Sequence, residues 1–125
     1  SDAQVAVAAT TARIGQPFDL AFGQSADLTG TNLRLTFTRV AGDSRCPTDV
    51  QCVWEGDAEI AVRIDRGGTP AGTAELHTSA GGGGLREVDY DGHLVIALQS
   101  LAPAPRSGHP IPDAGYVATL LVREK

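Results

Sequence analysis

Apolar and polar positions alternate in short runs along most of this chain, and no run holds the 3.6-residue period of an amphipathic helix. Residues 17–22 (PFDLAF) and 33–38 (LRLTFT) alternate apolar with small, polar or β-branched side chains, and predict two strands with one wet face each. Residues 23–30 between them begin and end in glycine, which suits a turn-rich connection with room for a short bridging strand. The clearest alternation follows the second cysteine. Cys52, Trp54, Gly56, Ala58, Ile60, Val62 and Ile64 fall on one face, and Glu55, Asp57, Glu59, Arg63 and Asp65 on the other, so one face is core and the other is water. Gly56 adds nothing to a packing face and predicts a bulge or the close approach of another backbone.

Further along, Arg66-Gly67-Gly68-Thr69 predicts a turn and residues 73–79 its return strand. Asp91-Gly92, between the runs 85–90 and 93–101, predicts a type I′ hairpin, because this dipeptide readily takes the positive φ angles that turn requires. Residues 116–123 carry apolar side chains in both phases, as a central or covered strand does. Residues 4–14, rich in Ala, Val and Thr, read as one more strand. These runs sum to about seven or eight short antiparallel strands, the pattern of a sandwich or small barrel. The expectation is an all-β chain with residues 1–125 forming a single β-sandwich domain, immunoglobulin-like or related, with one disulfide. Trp54 on the inner face beside that disulfide is reminiscent of immunoglobulin cores, with different spacing.

A length of 125 residues allows one hydrophobic core. The net charge of −5 accompanies nine scattered arginines and a single lysine, Lys125, with no basic stripe to grip phosphates, which argues against nucleic acid as a partner. No apolar run approaches the length that spans a bilayer, and none looks like a signal peptide, so a membrane role would run through an anchor outside this chain. Cys46 and Cys52 are the only cysteines. A close pair in a small loop-rich domain, with no second pair to complete a metal site, reads as a disulfide made outside the cytoplasm: periplasm, cell surface or secreted.

That disulfide closes a ring of about seven residues and stabilises by roughly 2–3 kcal/mol in the loop-entropy model. It also fixes the shape of Pro47, Thr48, Asp49 and Val50 before they meet a partner, so less entropy is lost on binding. Asp43 and Arg45 flank the loop as turn acceptor and carboxylate partner. Residues 102–112 are a proline-stiffened irregular stretch that holds Arg106 and His109 on an extended backbone as further partner contacts. Asp43, Asp49, Glu55, Asp57, Asp89 and Asp91 offer oxygens of the kind calcium uses, yet no full calcium-loop pattern is present. Calcium is therefore the one cofactor left open and none is expected. His77, His93 and His109 come from separate segments without metal-site spacing, and the chain has no Met for a blue-copper centre. No serine sits in a G-x-S-x-G setting, so catalysis is not the expectation.

The motif Asp43-Ser44-Arg45-Cys46-Pro47 followed by Val50-x-Cys52-x-Trp54-x-Gly56-x-Ala58 resembles a family of uncharacterised bacterial exported proteins and lipoproteins. Phe18-x-Leu20 before Gly23-Gln24, then Leu76-His77-Thr78, Leu101-x-Pro103 and the Tyr116 strand look similar too, so the likeness spans most of the chain. It implies an extracytoplasmic β domain and carries over no catalytic or binding residue. The resulting expectation is a non-catalytic exported protein that binds a protein partner or builds an extracellular structure. Gln4, Val5 and Val7 are the candidates for strand exchange with a neighbouring copy. One alternative is a proteinase inhibitor presenting the disulfide and proline loops, as chagasin-type inhibitors do on a similar fold without sharing these motifs. Another is a metal-dependent or hydrolytic enzyme.

Overall fold

The computed structural model describes residues 10–53, 56–78 and 86–125. Over these the chain forms β1 (Thr10–Ala12), β2 (Phe18–Ala21), β3 (Ser25–Leu28), β4 (Leu33–Asp43), β5 (Ala58–Arg66), β6 (Thr69–His77), β7 (Glu87–Tyr90), β8 (Leu94–Ala102) and β9 (Val117–Glu124). A 3-10 turn at Asp113–Gly115 precedes β9, and there is no α-helix among the described residues. The strands divide into a five-stranded sheet, β1-β3-β4-β5-β6, and a four-stranded sheet, β2-β9-β8-β7. The two pack as a sandwich. Its core is the alternating inner face of each: Leu28, Leu35, Phe37, Ile60, Val62 and Leu76 from one, Leu20, Ile96, Leu120 and Val122 from the other.

The all-β sandwich agrees with the pattern of the sequence, with differences that have physical causes. The described residues form nine strands where about seven or eight are expected, one of them the short bridging strand β3. The pairings are antiparallel except β1 with β3, which run parallel with Thr10 opposite Ala26. The intervening β2 belongs to the other sheet, so β3 joins the first sheet without the hairpin that would set it against β1. β9 lies between β2 and β8, and its outward Val117, Thr119 and Leu121 are half-buried, as its two apolar phases predict.

The strand expected from Cys52 begins only at Ala58. Gly56 has a φ of +73°, and a Cβ there would lie 1.9 Å from the Ser44 carbonyl oxygen. Of the two roles predicted for this glycine, close backbone approach is the one observed; the bulges of the β4–β5 pair fall in β4, between Phe37 and Arg39 and between Val40 and Gly42. The left-handed residue interrupts the alternation, and Cys52 is left exposed rather than on the core face. The placement expected for Trp54 lies outside the described residues, as do Gln4, Val5 and Val7. At the far end of the sandwich two tight turns match expectation. Asp91 and Gly92 both have positive φ, 57° and 72°, as a type I′ turn requires, and Gly67-Gly68 joins β5 to β6 in the same way.

Candidate functional site

β4 ends at Asp43 and β5 begins at Ala58, so the chain between them forms a loop at one end of the sandwich. Cys46 and Cys52 are bridged across a Cα separation of 6.0 Å. The residues before the bridge point alternately to two sides, and each side is tied down. Ser44 turns toward the start of β5: its N–H donates to the Asp57 carbonyl at 2.6 Å, and its hydroxyl bonds the same residue's backbone. Gly56 must be a glycine because this contact leaves no room for a side chain.

Asp43 and Arg45 turn the other way. Arg45 donates from Nε and Nη2 to the two oxygens of Asp43 at 2.8 and 2.7 Å, a forked pair with only 13% of either side chain exposed. Its remaining reach goes to the carbonyls of Leu101, at 2.6 Å from Nη1, and Pro103, at 3.1 Å from Nη2. Tyr116, buried where the chain enters β9, donates its hydroxyl to Asp43 at 2.7 Å. Burial opposes ionisation of Asp43, but the bonds from Arg45 and Tyr116 outweigh it and hold the carboxyl below its ordinary range. The Tyr116 phenol is pushed up to about 12 by burial and by its bond to the Asp43 carboxylate. The hydrogen bonds to Asp43 likewise raise Arg45 above its ordinary value, against the cost of its burial.

This hub sits under two loops that dock on each other. The Thr48 N–H donates to the Pro105 carbonyl at 2.9 Å, and Asp49 accepts from the Ser107 N–H at 3.0 Å, which holds the Asp49 carboxyl low. The proline segment is not a straight rod. Ser107-Gly108 makes a tight turn, with Gly108 at φ +73° and Arg106 bridged to His109, because glycine offers the left-handed conformation that the neighbouring prolines cannot. Arg106 and His109 are exposed on that turn. Pro47, Thr48, Asp49 and Val50 therefore do converge with Arg106 and His109, on one ridge beside a cleft of about 440 Å³.

Among the described residues Val50 and Val53 are the large apolar side chains left exposed, at 45% and 88%, one inside the disulfide loop and the other directly after Cys52. Sequence reasoning singled out Val50 and missed Val53. The signal was present: Val53 falls in the phase of Glu55, Asp57 and Glu59, the wet face, where an apolar side chain is out of place. Tyr116 was missed as a member of the hub because nothing local ties it to Asp43, 73 positions away.

Next to the ridge, His77 at the end of β6 faces two carboxylates. Its Nδ1 meets Asp57 at 2.5 Å and its Nε2 lies 3.8 Å from Glu59, while Thr78 links Asp57 to the Ala58 N–H. Both ring nitrogens are turned to acids, so neither is aimed at a hydroxyl or thiol, and the cluster braces the start of β5. Of the acidic residues considered for calcium, Glu55 lies outside the described residues and the other five disperse: Asp43 to Arg45, Asp49 to Ser107, Asp57 to His77, Asp89 to Lys125 and Asp91 to Arg66. Among the described residues no three His, Cys, Asp or Glu side chains gather as a metal would need. Compared with known proteins, the chain matches no protein-family model, no curated protein and no solved structure.

Proposed function

We propose that this chain is a non-catalytic exported binding protein whose partner, another protein, is met by the disulfide-braced ridge. The observation that carries the reading is the position of Val50 and Val53, exposed within and directly after a loop closed by the Cys46–Cys52 bridge and docked through Thr48 and Asp49. Apolar side chains kept in water on a preformed loop lose little conformational freedom on docking and gain the full benefit of burial. Arg106 and His109, exposed on the proline turn that docks on Thr48 and Asp49, supply the polar part of the surface. The Cys46–Cys52 bridge, a bond of the kind that persists in oxidising compartments, and the resemblance to exported bacterial domains support the export part of this reading.

A photo-crosslinking residue placed at Val53, in protein displayed on the host's own exterior, tests this reading. One discrete adduct is expected there, lost in Val50→Asp, and none from the same group at Thr73 on β6. Indistinguishable adduct patterns at the two positions would overturn the reading. The joined disulfide and proline loops also favour a second reading, a wedge that enters a proteinase cleft. Absence of inhibition across serine and cysteine proteinases at micromolar protein removes it. Self-assembly through Gln4, Val5 and Val7 rests on β1 being a short edge strand paired on one side only among the described residues. Monomers at high concentration by sedimentation would dispose of that version.

A further inference from the structure

At the turn end opposite the ridge, the outer face of the five-stranded sheet holds a cleft of about 680 Å³. Two rows of outward side chains cross it. Asp27, Arg34, Asp65 and Pro70 are register neighbours on β3, β4, β5 and β6, and Ser25, Thr36 and Arg63 form the adjacent row. We propose that this cleft binds a neutral saccharide.

The charge pattern selects the ligand class. Two guanidinium groups face two carboxylates, each already paired: Arg34 with Asp27 at 2.7 Å and Arg63 with Asp65 at 3.2 Å. A phosphate would meet the two carboxylates and a metal ion the two arginines, so the face as a whole rejects both. What remains attractive is a group that donates and accepts at once, which is what each sugar hydroxyl does.

The hydrogen-bonding capacity left over fits that demand. Arg34 and Arg63 spend Nε and Nη2 on their acids, which leaves Nη1 of each as a donor. The Arg63 Nε bond and the Nη2 ion-pair contact both go to Oδ2 of Asp65, so among the described residues Oδ1 is an acceptor without a protein donor, on a residue only 8% exposed. A carboxylate oxygen so nearly removed from water gains most from an incoming hydroxyl. Ser25 and Thr36 share one hydrogen bond at 2.7 Å, leaving one hydroxyl proton for a ligand. Pro70, which has no N–H to compete, gives the cleft an apolar wall for the C–H face of a sugar ring. This site is independent of the ridge.

Amide NMR of the whole chain, titrated with neutral oligosaccharides of glucose, galactose, mannose and N-acetylglucosamine at up to about 10 mM, tests the proposal. The expected result is saturable shifts at Asp27, Arg34, Arg63, Asp65 and Gly67, with residues 48–53 unmoved. Arg34→Gln and Arg63→Gln, both at half-exposed side chains and so compatible with folding, should each weaken binding about tenfold by removing a charged donor. Val53→Asp should leave it unchanged. Parallel arms with the monosaccharides and with soluble neutral polysaccharides separate a free sugar from a glycan chain, and binding in either arm supports the site. The proposal is overturned if no saccharide moves these amides, if inorganic phosphate or calcium moves them instead, or if both variants bind as the parent does.

Discussion

At the scale of single residues, the Asp43-Ser44-Arg45 triplet and Gly56 show how little room the loop end leaves for change. Gly56→Ala would set a Cβ within 1.9 Å of a backbone oxygen, in a conformation that already disfavours side chains. Strain and overpacking together predict a loss of about 2–4 kcal/mol. Urea unfolding should show it as a lower midpoint at unchanged slope. Asp43 and Tyr116 give the molecule opposite pH limbs. Asp43 is held below its ordinary value, so its contribution is present above about pH 4 and drains away as pH falls through the folded-state value. Tyr116 is raised to about 12, so between about pH 10 and 12 the folded chain keeps a proton that the unfolded chain has released, and stability falls there as pH rises. Tyr116→Phe removes that alkaline loss and Asp43→Asn the acid one. Unfolding free energies measured across both ranges check the two signs, and a parent profile flat between pH 10 and 12 would refute the first.

At the scale of elements, local signals were legible and distant pairings were not. The hairpin at Asp91-Gly92 and the tight approach at Gly56 depend on backbone preferences carried by the residues themselves, and both are where the pattern put them. The strand from Cys52 was over-extended because periodicity counts side chains and cannot see a left-handed glycine break the pleat. The parallel pairing of β1 was invisible because it depends on which sheet β2 joins, a decision made by packing across the core. In the candidate site the disulfide loop and the proline turn were each found, but their docking, through partners 57 and 58 positions apart, was not. That docking has a consequence for the bridge. Replacing Cys46 and Cys52 by serine should cost about 2–3 kcal/mol through freed loop entropy. The bonds from Thr48 to Pro105 and from Asp49 to Ser107 should still hold the loop near its place. The double variant is therefore expected to fold, melt earlier and keep slow exchange at the Ser107 amide. Fast exchange there would mean that the disulfide alone shapes the ridge.

At the scale of the molecule, the two ends of the sandwich are secured by different physics. One end is closed by tight backbone turns with Gly67-Gly68 and Asp91-Gly92 in positive φ, joined by the exposed Arg66–Asp91 ion pair. The other gathers a disulfide, a forked ion pair, a tyrosine and two docked loops around Arg45. Between them runs one continuous core, from Leu33 and Ile64 near the first end to Ala58 and Leu101 near the second. The core resists global unfolding, whereas opening at either end needs only local bonds to break. Arg45→Met should then separate the two. It leaves the Asp43 carboxylate, with 13% of the side chain exposed, only the Tyr116 hydroxyl and the N–H of residue 45 as donors, a cost of about 3 kcal/mol if the region cannot relax. Because Arg45 also holds the carbonyls of Leu101 and Pro103, its loss releases both loops together. Hydrogen exchange should quicken over residues 43–53 and 101–116. Beyond the small uniform change set by the lower global stability, the turns at 66–69 and 90–94 and the amides of β9 should keep their ranking. Equal acceleration at both ends would show that the ridge is coupled to the whole sandwich, and a rigid ridge would then be a property of the core rather than of the arginine that ties it.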